Sequence, residues 1–267
     1  YTKKTYPHGE LHTACSSCPT CLPFRSKKHE PLPPEAPYEA DNHMLKNMKK
    51  NILLIGGSTG IGLEIAKKLY KNHNIYIASR NKVDHDNLEV THLEFDVLKN
   101  DISSLDLPEQ LDGLVYCPGS INLKPFKMLK PKDFEQEMQL NFFGLIKVVN
   151  GLMPKLKESN QASLVFFSSV AVKVGMPFHT SVAAAKGAIE GFAKSLAAEY
   201  APSLRVNVVS PSLTDTPLAE KLLNNDKKKE KMDQRHPLKR VGTTADIANM
   251  TAFLLSEESS WIIGQCL

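Results

Sequence analysis

The stretch Asn51–Leu69, NILLIGGSTGIGLEIAKKL, constrains the fold more than any other part of the chain. Ile52, Leu53, Leu54 and Ile55 form an unbroken apolar run, the pattern of a parallel-sheet strand buried on both faces. The run breaks at Gly56, and helical spacing resumes at Ile61, Ile65 and Leu69 around Gly60 and Gly62. This predicts strand, glycine turn and helix. Such a turn lets backbone N–H groups approach a pyrophosphate at the positive end of the helix, where side chains would block the approach. Ser58 and Ile61 lie within the turn and join the three glycines as candidate cofactor contacts.

The glycine spacing is G-x3-G-x-G, not the G-x-G-x-x-G of many dinucleotide folds. It resembles that of the short-chain dehydrogenase/reductase family, with Ile55 where a threonine is usual. The resemblance runs from Lys49 to Leu267. It implies a Rossmann-like, doubly wound α/β domain over residues 48–267, a mostly parallel sheet with helices on both faces in three layers.

Composition narrows the function classes. The net charge of the 267 residues is +4, and acidic residues interrupt the basic run Asp226–Lys231, so a solvated helix face explains it better than nucleic-acid binding. No apolar run reaches the roughly 18 residues of a membrane span and no signal-peptide core precedes the domain, so a cytoplasmic protein without a membrane partner is expected. Five cysteines, an odd number, argue for reduced thiols. Residues 1–47 lack periodicity and carry Pro31, Pro33, Pro34 and Pro37, which reads as a disordered or extraneous leader. Within it, His12, Cys15, Cys18 and Cys21 are soft ligands without the packing residues of a zinc knuckle, so no metal site is assigned.

Further strands are predicted at Asn74–Ala78, Val90–Phe95, Leu111–Cys117, Gln161–Phe167 and Leu204–Val209. The second leads into Ser79 and Arg80, where dinucleotide folds meet the adenosine ribose; a cation without a carboxylate favours NADP(H) over NAD(H), against a plain surface arginine. The third leads into Asp96 and Val97. In the resembled family an aspartate here contacts the adenine, although an Asp at a strand end is also a common turn former. Only Gly119 remains of the family's Asn-Asn-Ala-Gly after the fourth strand, the rest reading Tyr116-Cys117-Pro118. Cys117 reads as a buried apolar filler. Helical spacing covers Phe134–Met153 and holds Asn141, which in the family helps order a water on a proton path to the active-site lysine and otherwise is a structural amide.

The resemblance assigns Ser169 to the substrate oxygen and Lys186 to the active site. The family pairs that lysine with a tyrosine four residues earlier, because residues four apart share a helix face and the ammonium lowers the phenol pKa. Here that position is Val182, which has no proton to give. Three readings follow. One is an NAD(P)(H)-dependent oxidoreductase acting on a small carbonyl, alcohol or activated C=C substrate, with its proton from a water held by Lys186 and Asn141, or from His179 or Ser181. The second is a non-catalytic NADP(H)-binding sensor or subunit. The third, a purely structural partner, ranks last because so many cofactor-facing positions remain.

After the sixth strand, the family's proline and carboxamide-binding threonine correspond to Pro211 and to Thr214 or Thr216, with Thr214 favoured. Leu218–Arg235 is predicted as a substrate lid, and Thr243 with Asp246 as the start of a helix over Ile247–Leu255. The small-residue helix Val182–Tyr200 and the Asn141 helix form a subunit face in the family, so a homo-oligomer, dimer or tetramer, is expected. The family continues beyond Leu267 with a strand carrying Asp-Gly-Gly, so a shortened seventh strand is expected.

Overall fold

The six apolar runs read as strands become strands in the computed structural model, which describes residues 49–82 and 87–267. The leader, with His12, Cys15, Cys18 and Cys21, lies outside the described residues. The strands are β1 (Asn51–Ile55), β2 (Asn74–Ser79), β3 (Thr91–Glu94), β4 (Gly113–Tyr116), β5 (Ala162–Phe167) and β6 (Leu204–Val209). The main helices are α1 (Gly60–Leu69), α2 (Pro131–Met138), α3 (Gly144–Lys157), α4 (Val170–Val174), α5 (Thr180–Tyr200), α6 (Glu220–Leu223), α7 (Asp226–Arg235) and α8 (Thr244–Leu255).

All six strands pair in parallel, in the order β3-β2-β1-β4-β5-β6. The order therefore reverses at the β1–β4 seam, where a doubly wound sheet opens its ligand crevice. Alternate residues feed two cores. Leu53, Ile55, Leu114, Tyr116, Leu164 and Phe166 pack with Leu145, Val149 and Leu152 of α3 and Ile189 of α5. Ile52, Leu54, Val115 and Val165 pack with Ile65 of α1 and Leu254 of α8 on the other face. Three layers result, as expected. β3 is shorter than predicted because it is an edge strand whose side chains are all partly exposed, and β4 spans only Gly113–Tyr116 although Cys117 still donates to Ile55 O at 2.9 Å.

The helix expected over Phe134–Met153 is interrupted. α2 and α3 are joined by a π turn over Gln139–Phe143, in which the Gly144 N–H donates to Gln139 O, five residues back. The cause is Tyr116, whose hydroxyl donates to Leu140 O at 2.6 Å and takes a carbonyl out of the regular ladder. Gly144 makes room for it, since a Cβ there would lie 2.6 Å from the Tyr116 hydroxyl and 3.0 Å from Val97 Cγ2.

α8 begins at the predicted Thr243, which forms a capping box with Asp246, and Arg240 adds a two-pronged ion pair to that carboxylate. Residues 264–267 pair alongside β6: Val208 N donates to Gln265 O at 2.8 Å and Leu267 N to Val208 O at 2.9 Å. Among the described residues no helix is long and apolar enough to cross a membrane.

The Tyr116–Gly144 contact makes a testable prediction. Gly144→Ala should destabilise the protein by about 1–3 kcal/mol through overpacking. In the Tyr116→Phe background, which removes the obstructing hydroxyl, the same change should cost measurably less. Urea denaturation of the four proteins in a double-mutant cycle reads the coupling.

Candidate active site

The glycine turn is held by contacts between backbone atoms. Gly56 and Gly60 have φ of +77° and +57°, the left-handed region that disfavours side chains. At Gly62 an added Cβ would fall 2.8 Å from Gly57 Cα and 2.9 Å from the Gly56 carbonyl, so α1 seats directly on the turn that precedes it. Thr59, the residue before α1, makes no side-chain cap. The first N–H groups of α1 therefore have no intrahelical acceptor and no side-chain cap.

A cleft of about 520 Å³ opens at this point. It gathers Gly56, Ser58, Gly60, Ile61 and Gly62 from the turn, Arg80 from the end of β2, Asp96 and Val97 from beyond β3, and Gly119 from beyond β4. Arg80 is exposed. Ser79 before it is buried, its hydroxyl donating to Asn81 O at 2.8 Å and lying 3.0 Å from His92 Nε2. Asp96 folds its own turn, with Oδ1 accepting from Leu98 N at 3.0 Å.

Five of the predicted residues, Asn141, Ser169, Lys186, Pro211 and Thr214, do not line this cleft. Thr214 is buried, and its hydroxyl donates to Ser212 O at 3.0 Å. The threonine that does line the cleft is Thr216, followed by Pro217 and Leu218 from the start of the expected lid. Pro211 offers its carbonyl to Val170 N at 3.2 Å. Ser169 caps α4, accepting from Ala171 N at 3.2 Å.

Gly119 connects the cleft to what lies behind it. A Cβ on Gly119 would be 3.4 Å from both Lys186 Nζ and Asn141 Oδ1. Lys186 is buried on α5, and its ammonium donates to Phe167 O at 3.0 Å. Burial lowers its pKa to about 8, while the charge of Glu137 acts in the opposite sense. Asn141 is fully buried in the π turn. Its Nδ2 donates to the Glu137 carbonyl at 2.9 Å and to the Glu137 carboxylate at 3.0 Å, and its Oδ1 has no partner among the described residues. Ser120, next to Gly119, donates to the same carboxylate.

Glu137 is the residue that sequence reasoning missed. It stands four residues before Asn141, the spacing that brings side chains together on a helix, and it interrupts an otherwise apolar stripe. Cys117 is not the fully buried filler expected: it is partly exposed and lines the cleft, although desolvation pushes its thiol up to about 12. Val182 is buried one turn before Lys186, while His179 contacts Pro177 O at 2.7 Å and the Ser181 hydroxyl is buried without a partner among the described residues.

A doubly wound parallel sheet, a glycine turn at its switch point and a buried lysine behind the crevice define a nucleotide-binding domain of the oxidoreductase type. Comparison with known proteins is more specific. A family profile described as enoyl-(acyl carrier protein) reductase matches residues 56–267. The 3-oxoacyl-[acyl-carrier-protein] reductase FabG of Chlamydia muridarum is 30% identical over 245 residues, covering 85% of this chain and 97% of that protein. The ligand-free aldohexose dehydrogenase of Thermoplasma acidophilum superposes with a TM-score of 0.77 at 27% identity, over 83% of this chain and 92% of that one. The NADP-bound structure of ElxO gives 0.76 at 25% identity, over 82% and 96% respectively. The chain belongs to the short-chain dehydrogenase/reductase family of oxidoreductases.

The depressed Lys186 pKa carries a linkage sign. A group with a folded pKa near 8 and an unfolded value of 10.5 contributes stability that is present above 10.5 and lost as pH falls towards 8. Relative to Lys186→Met, the protein should therefore gain stability between pH 8 and 10.5, on the order of 3 kcal/mol in full. Denaturant titrations of both proteins at pH 7.5 and pH 10 check this; equal slopes with pH would contradict it.

Proposed function

We propose that the protein is an NADP(H)-dependent oxidoreductase that moves hydride to or from a small carbonyl, alcohol or activated C=C substrate with a proton source other than tyrosine. The observation that carries this reading is the convergence of Lys186 Nζ and Asn141 Oδ1 on Gly119, at the end of the glycine-lined cleft. The residues fit the cofactor. The turn excludes side chains where a diphosphate must approach, and α1 offers uncapped N–H groups to it. Arg80, exposed at the end of β2, suits a 2′-phosphate, and ElxO binds NADP on the same fold. Asp96 and Val97 would border the adenine, and Thr216 or Thr214 with Pro211 the nicotinamide end.

When bound, NADP(H) supplies or accepts the hydride. The remaining work falls to the chain's own side chains. Ser169 accepts from Ala171 N and has its hydroxyl proton free to donate to a substrate oxygen. Lys186, with a pKa near 8, holds a proton it can release close to neutral pH. Asn141 Oδ1, buried and unpartnered among the described residues, is the acceptor that would orient a water between Lys186 and the substrate. Val182 takes no part. Residues 48–267 act as the catalytic domain, and the α3 and α5 surfaces would pair copies of the chain into a homo-oligomer.

NADPH binding followed by fluorescence, then oxidation followed by absorbance against ketones, quinones and enones, tests the reading. Turnover by the parent, lost in Lys186→Ala, is expected. Tight binding without turnover, with activity appearing only in Val182→Tyr, would replace it with the non-catalytic cofactor-binding reading. Arg80→Ala should weaken NADPH roughly tenfold or more, as expected for hydrogen bonds to a charged group, and leave NADH little changed. Equal losses for both cofactors would remove the NADP(H) preference.

A further inference from the structure

Glu137 belongs neither to the cleft nor to the hydrophobic core. It is a carboxylate only 4% exposed on α2. A buried carboxylate is costly unless bonded and paired with positive charge. Its bonded partners are the Asn141 amide at 3.0 Å and the Ser120 hydroxyl, both neutral donors. The cation within electrostatic reach is Lys186, likewise buried, whose own bonded partner is the neutral carbonyl of Phe167. The Glu137 charge acts on Lys186 in the sense opposite to the lysine's desolvation.

We propose that Glu137 is the internal counter-ion of Lys186, a positioning residue that keeps the active-site lysine protonated at neutral pH through the Ser120–Asn141 side of the site. The bond geometry favours this over a purely structural role. Asn141 presents its Nδ2 to Glu137, which turns Oδ1 towards the point beside Gly119 that Lys186 Nζ also approaches. A carboxylate thus fixes the amide orientation and sets the charge on the lysine together. The titratable neighbours of Lys186 are few. Cys117, just beyond β4, is a cleft-lining thiol that desolvation pushes up to about 12, and so neutral at working pH. On α5 itself, the Glu190 carboxylate accepts from the Ser168 hydroxyl at 2.6 Å, and its charge is not among those that act on Lys186. Glu137 is the group left to hold the lysine charge.

The inference rests on the reading of Lys186 as a cofactor-facing group, and the two fail differently. NADPH affinity would be measured by fluorescence from pH 6 to pH 10 on the full chain, for the parent, Glu137→Gln, Glu137→Met, Glu137→Asp and Lys186→Met. The parent affinity is expected to fall with a midpoint near 8, where burial places the lysine. Removing an opposite charge at this range should move that midpoint down by about one unit, which makes Glu137→Gln bind roughly fivefold more weakly than the parent at pH 8 and nearly equally at pH 6. Glu137→Met lets Asn141 keep its bond to the backbone carbonyl and carries the same expectation if the glutamine variant does not fold. Glu137→Asp, which retains the charge, should restore most of the midpoint. Weakening that is the same at all pH values, or a midpoint unmoved in both neutral variants, would overturn the proposal and leave Glu137 structural. A pH dependence that survives in Lys186→Met would instead overturn the placement of Lys186 at the cofactor.

Discussion

Contact of backbone on backbone at the seam between β1 and β4 is the constraint from which the site follows. α1 can start only where Gly62 rests on Gly57 and on the Gly56 carbonyl, and a single methyl group would separate them. The same turn meets the exit of β4, since a Cβ on Gly56 would lie 3.3 Å from the Pro118 ring. Gly119 follows immediately, and Lys186 and Asn141 crowd against it. Three successive close approaches thus tie the uncapped start of α1 to the buried ammonium of Lys186. Side chains at any of these glycines would widen the gap.

The second half of the site is an arrangement for keeping an ammonium ion out of water. Burial pulls the Lys186 pKa down, and the structure answers with a backbone carbonyl from β5 and a carboxylate from α2. This places acid strength near neutrality on the lysine itself, one helical turn after the buried side chain of Val182.

The sheet and the glycine turn were legible because their signals are local. Apolar runs of four to seven residues mark buried parallel strands, and glycines mark the turn, with strand ends displaced by only one or two residues. The gathering of Gly56, Ser58, Gly60, Ile61, Gly62, Arg80, Asp96, Val97 and Gly119 around one cleft also follows from strand ends alone. What the sequence concealed depends on contacts between distant segments. The π turn exists because Tyr116, on another element, takes the Leu140 carbonyl, and helical spacing looks the same with or without it. Glu137 reads as one more surface acid until the fold buries it. Thr214 and Thr216 are indistinguishable as letters, and only the bridge from Thr214 to Gly242 turns the first inward.

The π turn has a consequence for descent. With five residues where a regular turn holds fewer, the helical segment running from α2 into α3 carries one residue in excess, a phase shift frozen into its middle. Removing a single residue between Gln139 and Phe143 would let the segment close into a regular helix, in which no carbonyl is left over for the Tyr116 hydroxyl. The bond from Tyr116 is therefore indexed by chain length as much as by residue identity. Related chains can retain every site residue and still differ here by one insertion.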